Sequence, residues 1–380
     1  MKRKKTSEFG SLFLILLNKS NLFIMKKATL FILLFCSVQL FAQQLKYITD
    51  KNFTVQGKAF NNAPFYHRID TNKYAKLPTK VKELLTAPAG LYVAFKSNTS
   101  QIKLDWTTRS TYLGANTTGI MARGLDLYIK ENGKWIFAGA ALPNQQNIKS
   151  EYDIVKNLTK TEKEFMLYLP LWNEITDLKI GIDASANFIN QPISYKKKIV
   201  VYGSSIVQGA SASRPGMNYP SILTRKTGYE FINLGLSGNA KIEIELAEMI
   251  KDIQGVDLFI LDCVPNSSAD EINARTISFV KLLRKFHPKT PILMIESLIR
   301  PMSKFDQVSH ENVTKQNQAY RNQYEALIKQ GEKNLYLLKG DHLIGSDNEG
   351  STDGTHPNDL GFDRLSTAIE KKVNEILSKK

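Results

Sequence analysis

The chain has 380 residues, with 51 Lys+Arg against 36 Asp+Glu, a formal net charge of +15 and two cysteines. Its 42% hydrophobic and 10% aromatic content is that of a folded globular protein and excludes intrinsic disorder. Two cysteines exclude a disulfide scaffold, no CxxC or Cys/His cluster offers a zinc site, and the length allows two domains or one large one.

Residues 25–42 read MKKATLFILLFCSVQLFA. A lysine pair, an apolar run from Ala28 to Val38 and a small residue at Ala42 are the three parts of a cleavable secretory signal. The run is shorter than the roughly 20 apolar residues of a membrane span. Phe35 stands before Cys36 where a lipoprotein site needs a small residue. Residues 1–24 carry their own basic start and a short apolar run, Leu12 to Leu17, so Met25 is read as the true initiator and residues 1–42 as the signal segment. Their removal takes away seven basic residues and Glu8, leaving 44 against 35, or +9. The expected mature protein is exported, to the periplasm or beyond, with Cys263 as its remaining cysteine.

From residue 43 to 192 the pattern is short strands with turn punctuation. GLYVAFKSNT, QIKLDWTT, GLDLYIKENGKWIFAGAAL, EFMLYLPLW and LKIGIDA alternate apolar and polar residues at period two. Asn132-Gly133 marks a two-residue hairpin, because both central positions need positive φ. Helical periodicity is confined to a turn at Val81–Leu85. An antiparallel β-sandwich domain is predicted over 43–192.

From 193 to 380 the texture changes. Apolar strands at 199–203, 231–235, 257–263, 291–297 and 335–340 alternate with helix candidates near 217–227, 240–252, 269–286, 311–330 and 359–378. Continuous apolar strands separated by helices predict a parallel sheet covered on both faces, an α/β fold with its site at the carboxyl ends of the strands.

The first of these strands ends in GSSIVQGAS, residues 203–211. Gly203 allows a tight turn and Ser205 stands at its mouth. Alone this is a glycine-serine strand–helix turn. It is not GxSxG, because Val207 fills the last glycine position, and no GK[ST] follows to make a phosphate loop. After the last strand comes STDGTHPNDLGF, residues 351–362. Asp353 and His356, three apart in a glycine-containing loop, let the carboxylate reach Nδ1–H and leave Nε2 free to take a proton. Asn358 or Asp359 then caps the final helix. The other histidines, His67, His287, His310 and His342, lack a comparable context and are read as structural or exposed. Two more strand-end loops offer Gly238, in NLGLSG, and Asn266, in DCVPN. Each alone is ordinary turn chemistry. Together the set supplies a nucleophile, an oriented base and oxyanion donors, the needs of acyl transfer.

These residues resemble the four blocks of the SGNH hydrolases, the GDSL esterase/lipase superfamily. Gly203-Ser204-Ser205-Ile206 with Gly209 matches the first block, with Ser204 where the family usually has Asp. Gly238 matches the glycine block. Asn266 matches the asparagine block, with Cys263 where many members have glycine. Asp353 and His356 match the DxxH block. Upstream, Gly124-Leu-Asp-Leu-Tyr128 is similar to the GxDLY signature of a β-domain that precedes the catalytic domain in one subgroup. The resemblance implies a flavodoxin-like three-layer α/β/α catalytic domain over 193–380, behind the β-sandwich. It implies Ser205 as nucleophile, His356 as base and Asp353 as orienter. Backbone N–H groups of Ser205 and Gly238 and the Asn266 amide would form the oxyanion hole.

The expected function is therefore a secreted serine esterase of short-chain, especially acetyl, esters on carbohydrate, with no metal or cofactor. An acyltransferase using the same triad with a hydroxyl acceptor is the alternative, and a carbohydrate-binding protein without catalysis stands behind it. The partner is a small-molecule or polysaccharide ester. The lysines are scattered, with short runs at 196–198 and 379–380 and no interleaved aromatics, so neither a nucleic-acid partner nor a stable membrane span is expected. Oligomeric state is left open.

Overall fold

A computed structural model describes residues 44–378. The predicted signal segment, residues 1–42, lies outside the described residues. After β1 (Leu45–Ile48) and β2 (Val55–Gln56) comes helix α1 (Thr79–Thr86). This is a full helix where the sequence suggested a turn. Val81 and Leu85, four apart and both fully buried, stack on one helical face, and that burial sustains the extra residues.

The following strands are β3 (Tyr92–Ser97), β4 (Ile102–Thr108), β5 (Leu125–Glu131), β6 (Lys134–Ala141), β7 (Lys149–Val155), β8 (Lys163–Tyr168), β9 (Ile175–Asp183) and β10 (Ile189–Asn190), with the short helix α2 (Gly119–Arg123) between β4 and β5. In one antiparallel sheet β4 pairs with β7 and β9. In the other the order is β10-β3-β8-β5-β6. Leu104, Trp106, Leu125, Leu127, Phe165, Leu167 and Ile180 fill the space between them, as the inner faces of a β-sandwich do. The β5–β6 hairpin turns at Asn132 and Gly133, with φ of 49° and 78°, as the Asn-Gly pair predicts. Alternation along β5 matters beyond the core. Leu125, Leu127 and Ile129 enter the sandwich, so Asp126 and Tyr128 emerge on the opposite face.

The second half is built on β11 (Lys198–Gly203), β12 (Glu230–Gly235), β13 (Leu258–Asp262), β14 (Ile292–Ile295) and β15 (Leu335–Leu338), all parallel in the order β12-β11-β13-β14-β15. Ile199 and Val201 of β11 join one core and Val200 and Tyr202 the other, so both faces are buried and the strand reads as an unbroken apolar run. The helices are α3 (Ser205–Gln208), α4 (Tyr219–Thr227), α5 (Ile244–Ile250), α6 (Ala269–Phe286), α7 (Gln307–Lys329) and α8 (Asp359–Leu377). Caps set their starts: Ser268 and Glu271 form a reciprocal capping box on α6, and Asn358 accepts from Gly361 N–H on α8. Helix α7 begins four residues earlier than predicted because Asp306 accepts from Ser309 N–H. The flavodoxin-like strand order places the topological switch between β11 and β13, where this fold class binds its ligands.

Candidate active site

Register brings the strand ends level: Gly203 is opposite Gly235 on one side and Asp262 on the other. A Cβ at Gly203 would run into the Asp262 carbonyl, so glycine serves close strand approach here as well as the turn. Ser204 caps α3 by accepting from Ile206 N–H at 3.2 Å. That is a service an aspartate in this place also performs, which explains how the departure from the usual family residue is tolerated. Ser205 is then the first residue of α3, 7% exposed.

Ser205 Oγ lies 2.9 Å from His356 Nε2, and His356 Nδ1 lies 2.8 Å from Asp353 Oδ2. The loop that carries the pair is closed on itself. Thr352 N–H and the Ser351 hydroxyl donate to the His356 carbonyl at 3.0 and 2.9 Å. Asp353 Oδ1 accepts the Thr355 and His356 N–H groups at 3.0 and 2.8 Å. Burial alone would raise the Asp353 carboxyl, but the His356 backbone and ring and the Thr355 N–H outweigh it and hold the group at about 2. The carboxylate is thus ionised wherever an imidazole is neutral. A carboxylate only accepts, so the Nδ1 facing it carries the proton and Nε2 faces the serine as an acceptor.

Gly238 and Asn266 meet in a second cluster. Gly238 has φ 66° and open space where a Cβ would stand. Asn266 ends a short 3-10 turn after β13, and its Nδ2 donates to the carbonyl of Asn239, the residue after Gly238. The structure joins these two loops to each other and Ser205, His356 and Asp353 to one another.

Two features escape the sequence. Asn116, in the loop before α2, has Nδ2 at 3.2 Å from Asp353 Oδ2 and 3.0 Å from His356 Nδ1. Arg214, just beyond α3, donates to Asp126 at 2.7 Å and to Tyr128 at 2.6 Å. The sequence carries no signal for Asn116, since its polar loop has no periodicity and lies 237 positions from Asp353. For Arg214 the outward alternation of Asp126 and Tyr128 was a usable sign. Of the remaining histidines, His67 has an acid partner after all, Glu174 at 3.1 Å, which Arg109 also holds at 2.6 Å. His287 caps α6, and its Nε2 lies 2.8 Å from the Lys251 carbonyl. Neither partner set contains a serine. Cys263 is a buried free thiol, its pKa pushed up by burial. Among the described residues no group of three or more His, Cys, Asp or Glu is placed to hold a metal, and no helix is long and apolar enough to cross a membrane.

Residues 196–374 match the model of the GDSL-like lipase/acylhydrolase family, and residues 45–188 match the GxDLY model, the N-terminus of SGNH-hydrolase-type esterases. A crystal structure of a putative GDSL-like lipase from Bacteroides ovatus is 48% identical, covers 88% of this chain and 98% of its own, and superimposes with a TM-score of 0.86. The chain belongs to the GDSL-like lipase/acylhydrolase family. More distant solved structures share the fold. A salicylyl-acyltransferase from a tetracycline biosynthetic pathway is 18% identical over 87% of this chain and 97% of that one, with a TM-score of 0.70. An acetyl xylan esterase from the rumen bacterium Butyrivibrio proteoclasticus is 13% identical over 88% and 100%, with a TM-score of 0.53. No match was found among curated proteins. In this GDSL-family chain two residues of the GxDLY motif, Asp126 and Tyr128, grip the segment that follows the Ser205 helix.

Proposed function

We propose that the protein is an exported serine esterase that hydrolyses short-chain esters, acetyl above all, on carbohydrate. The observation that carries this reading is the aligned Ser205–His356–Asp353 relay at 2.9 and 2.8 Å. His356 Nε2 takes the Ser205 proton as Oγ attacks the ester carbonyl. The alkoxide leaves with that proton as the tetrahedral adduct collapses to an acyl-serine. Water then attacks, giving its proton to His356, and collapse of the second adduct returns it to Ser205 and frees the acid. Asp353 stays ionised throughout and holds the ring. The oxyanion is assigned to the backbone N–H groups of Ser205 and Gly238 and to the Asn266 amide. That amide has two hydrogens and uses one on Asn239, which leaves one for substrate.

Supporting the carbohydrate class is a cleft of about 530 Å³ that adjoins His356 through Asn116 and includes Thr117, Thr118, Ser213 and Asp359 in its lining. Export rests on the pattern of residues 25–42. The division into domains at 192/193 fits the change from antiparallel to parallel pairing between β10 and β11. The test is hydrolysis of acetylated xylan, mannan, pectin and aryl acetates by the wild type and Ser205→Ala, with fluorophosphonate labelling of Ser205. Equal activity in the two proteins would sink the reading.

A further inference from the structure

Between β4 and α2 the chain sends residues 114–118 to the catalytic loop, and the contacts there are specific. Thr117 N–H and its hydroxyl both donate to the Gly114 carbonyl, at 3.1 and 2.8 Å, which closes a tight turn around Asn116. The Ser211 hydroxyl donates to the Asn116 carbonyl at 3.1 Å, and the Thr118 hydroxyl donates to the Ser213 carbonyl at 2.7 Å. Ser213 in turn donates from N–H and hydroxyl to the two oxygens of Asp359, at the start of α8. The loop is therefore held from both sides, by the segment after α3 and by the helix that follows His356.

What this clamp delivers is the Asn116 amide, 3.2 Å from Asp353 Oδ2 and 3.0 Å from His356 Nδ1. The atom facing an ionised carboxylate must be the NH2, since carboxylate and amide oxygens both only accept. Asp353 Oδ2 thus receives two hydrogen bonds, from Nδ1–H of the imidazole and from Asn116. Among the described residues the groups within hydrogen-bond distance of the His356 ring are Ser205, Asp353 and Asn116, and Asp353 is the charged one. The amide neutralises part of the carboxylate charge and presents its positive end to the imidazole. That donation holds the Asp353 carboxylate where it faces Nδ1–H of the ring.

We propose that Asn116, supplied by the antiparallel half of the chain, is a positioning residue that completes the triad by fixing the Asp353 carboxylate against His356 Nδ1. The proposal rests on the esterase reading of Ser205. It makes the sandwich half part of the catalytic apparatus, beyond any part in holding substrate.

The test compares kcat and KM of wild type, Asn116→Ala, Asn116→Asp and Ser205→Ala on an aryl acetate, with melting temperature alongside. Losing a hydrogen bond to a charged group costs about 10- to 100-fold, so Asn116→Ala should lose that much in kcat with KM within about twofold. Asn116→Asp keeps the shape of the side chain and the backbone carbonyl that Ser211 holds, but cannot donate and adds a like charge. It should be no better than the alanine variant. A merely structural residue would be rescued by the isosteric aspartate, with kcat restored; that result would overturn the proposal. If Asn116→Ala folds poorly, the aspartate variant decides. A wild-type rate in Ser205→Ala would instead defeat the esterase reading, so the two failures are distinct.

Discussion

Arg214 and Asp126 meet at 2.7 Å, the carboxylate side chain fully buried and the guanidinium side chain 19% exposed. Asp126 Oδ2 also accepts the Gly216 N–H at 2.8 Å, and the guanidinium lies 3.8 Å from the centre of the Phe137 ring. A carboxylate on the outward face of a sandwich strand thereby ties down the segment 214–216, which follows α3. The GxDLY motif acts at a distance from the chemistry, by fixing the backbone on which Ser211 and Ser213 stand.

Cutting that tie should cost stability first. Asp126→Ala leaves Arg214 largely buried without its carboxylate, a loss of about 3 kcal/mol. Adding Arg214→Met removes the stranded charge and should recover part of it. Denaturant unfolding of the two variants checks this, and a double variant less stable than the single would contradict it.

Asp353→Asn should nearly preserve the loop and abolish the relay. The amide keeps an oxygen for the Thr355 and His356 N–H groups, but its NH2 cannot accept from Nδ1–H. The imidazole then loses its preferred tautomer, and kcat should fall by about 10³–10⁴ with little change in KM. Steady-state kinetics on an aryl acetate would show it. Because Asp353 is held at about 2, loss of wild-type rate above about pH 4 on acidification is not expected to come from this carboxyl.

Asn266→Ala should be crippled and still measurable, with kcat down about 10²–10³ as for one lost oxyanion donor. The same change releases the Asn239 carbonyl that anchors the Gly238 loop. Asn266→Asp keeps the size of the side chain but donates neither to the oxyanion nor to Asn239. Comparable losses in both variants, with unchanged melting temperature, would support an electrostatic role; full activity in either would remove Asn266 from the oxyanion hole.

The parallel sheet was legible because Val200 and Tyr202 face one core and Ile199 and Val201 the other, which forces an apolar run with no alternation. Asp353 and His356 were legible because their contact is local. Asn116 was not, because its meaning exists only once Ser211 and Thr118 have drawn its loop across. His67 and Glu174 were missed for the same reason, being 107 positions apart. Helix α1 was underestimated because burial of Val81 and Leu85, not local propensity, extends it.

Asp262 gives a prediction about stability and pH. It is fully buried at the end of β13, and burial raises its carboxyl to about 7 against the pull of the Tyr219 hydroxyl, which donates to it at 2.9 Å. Unfolded, an aspartate loses its proton near about 3.9. Between those values the native state binds more protons than the unfolded state, so this group lowers stability as pH rises from about 4 to about 7. Asp353, depressed to about 2, acts in the opposite sense, adding stability as pH rises from about 2 to about 4. The two windows hardly overlap, so a difference measurement isolates Asp262. Asp262→Asn keeps an acceptor for Tyr219 and cannot titrate. Relative to wild type it should gain stability steadily between about pH 4 and about pH 7 and level off above. Denaturant midpoints across that range check it, and parallel curves for the two proteins would show that the carboxyl is ionised in the folded protein.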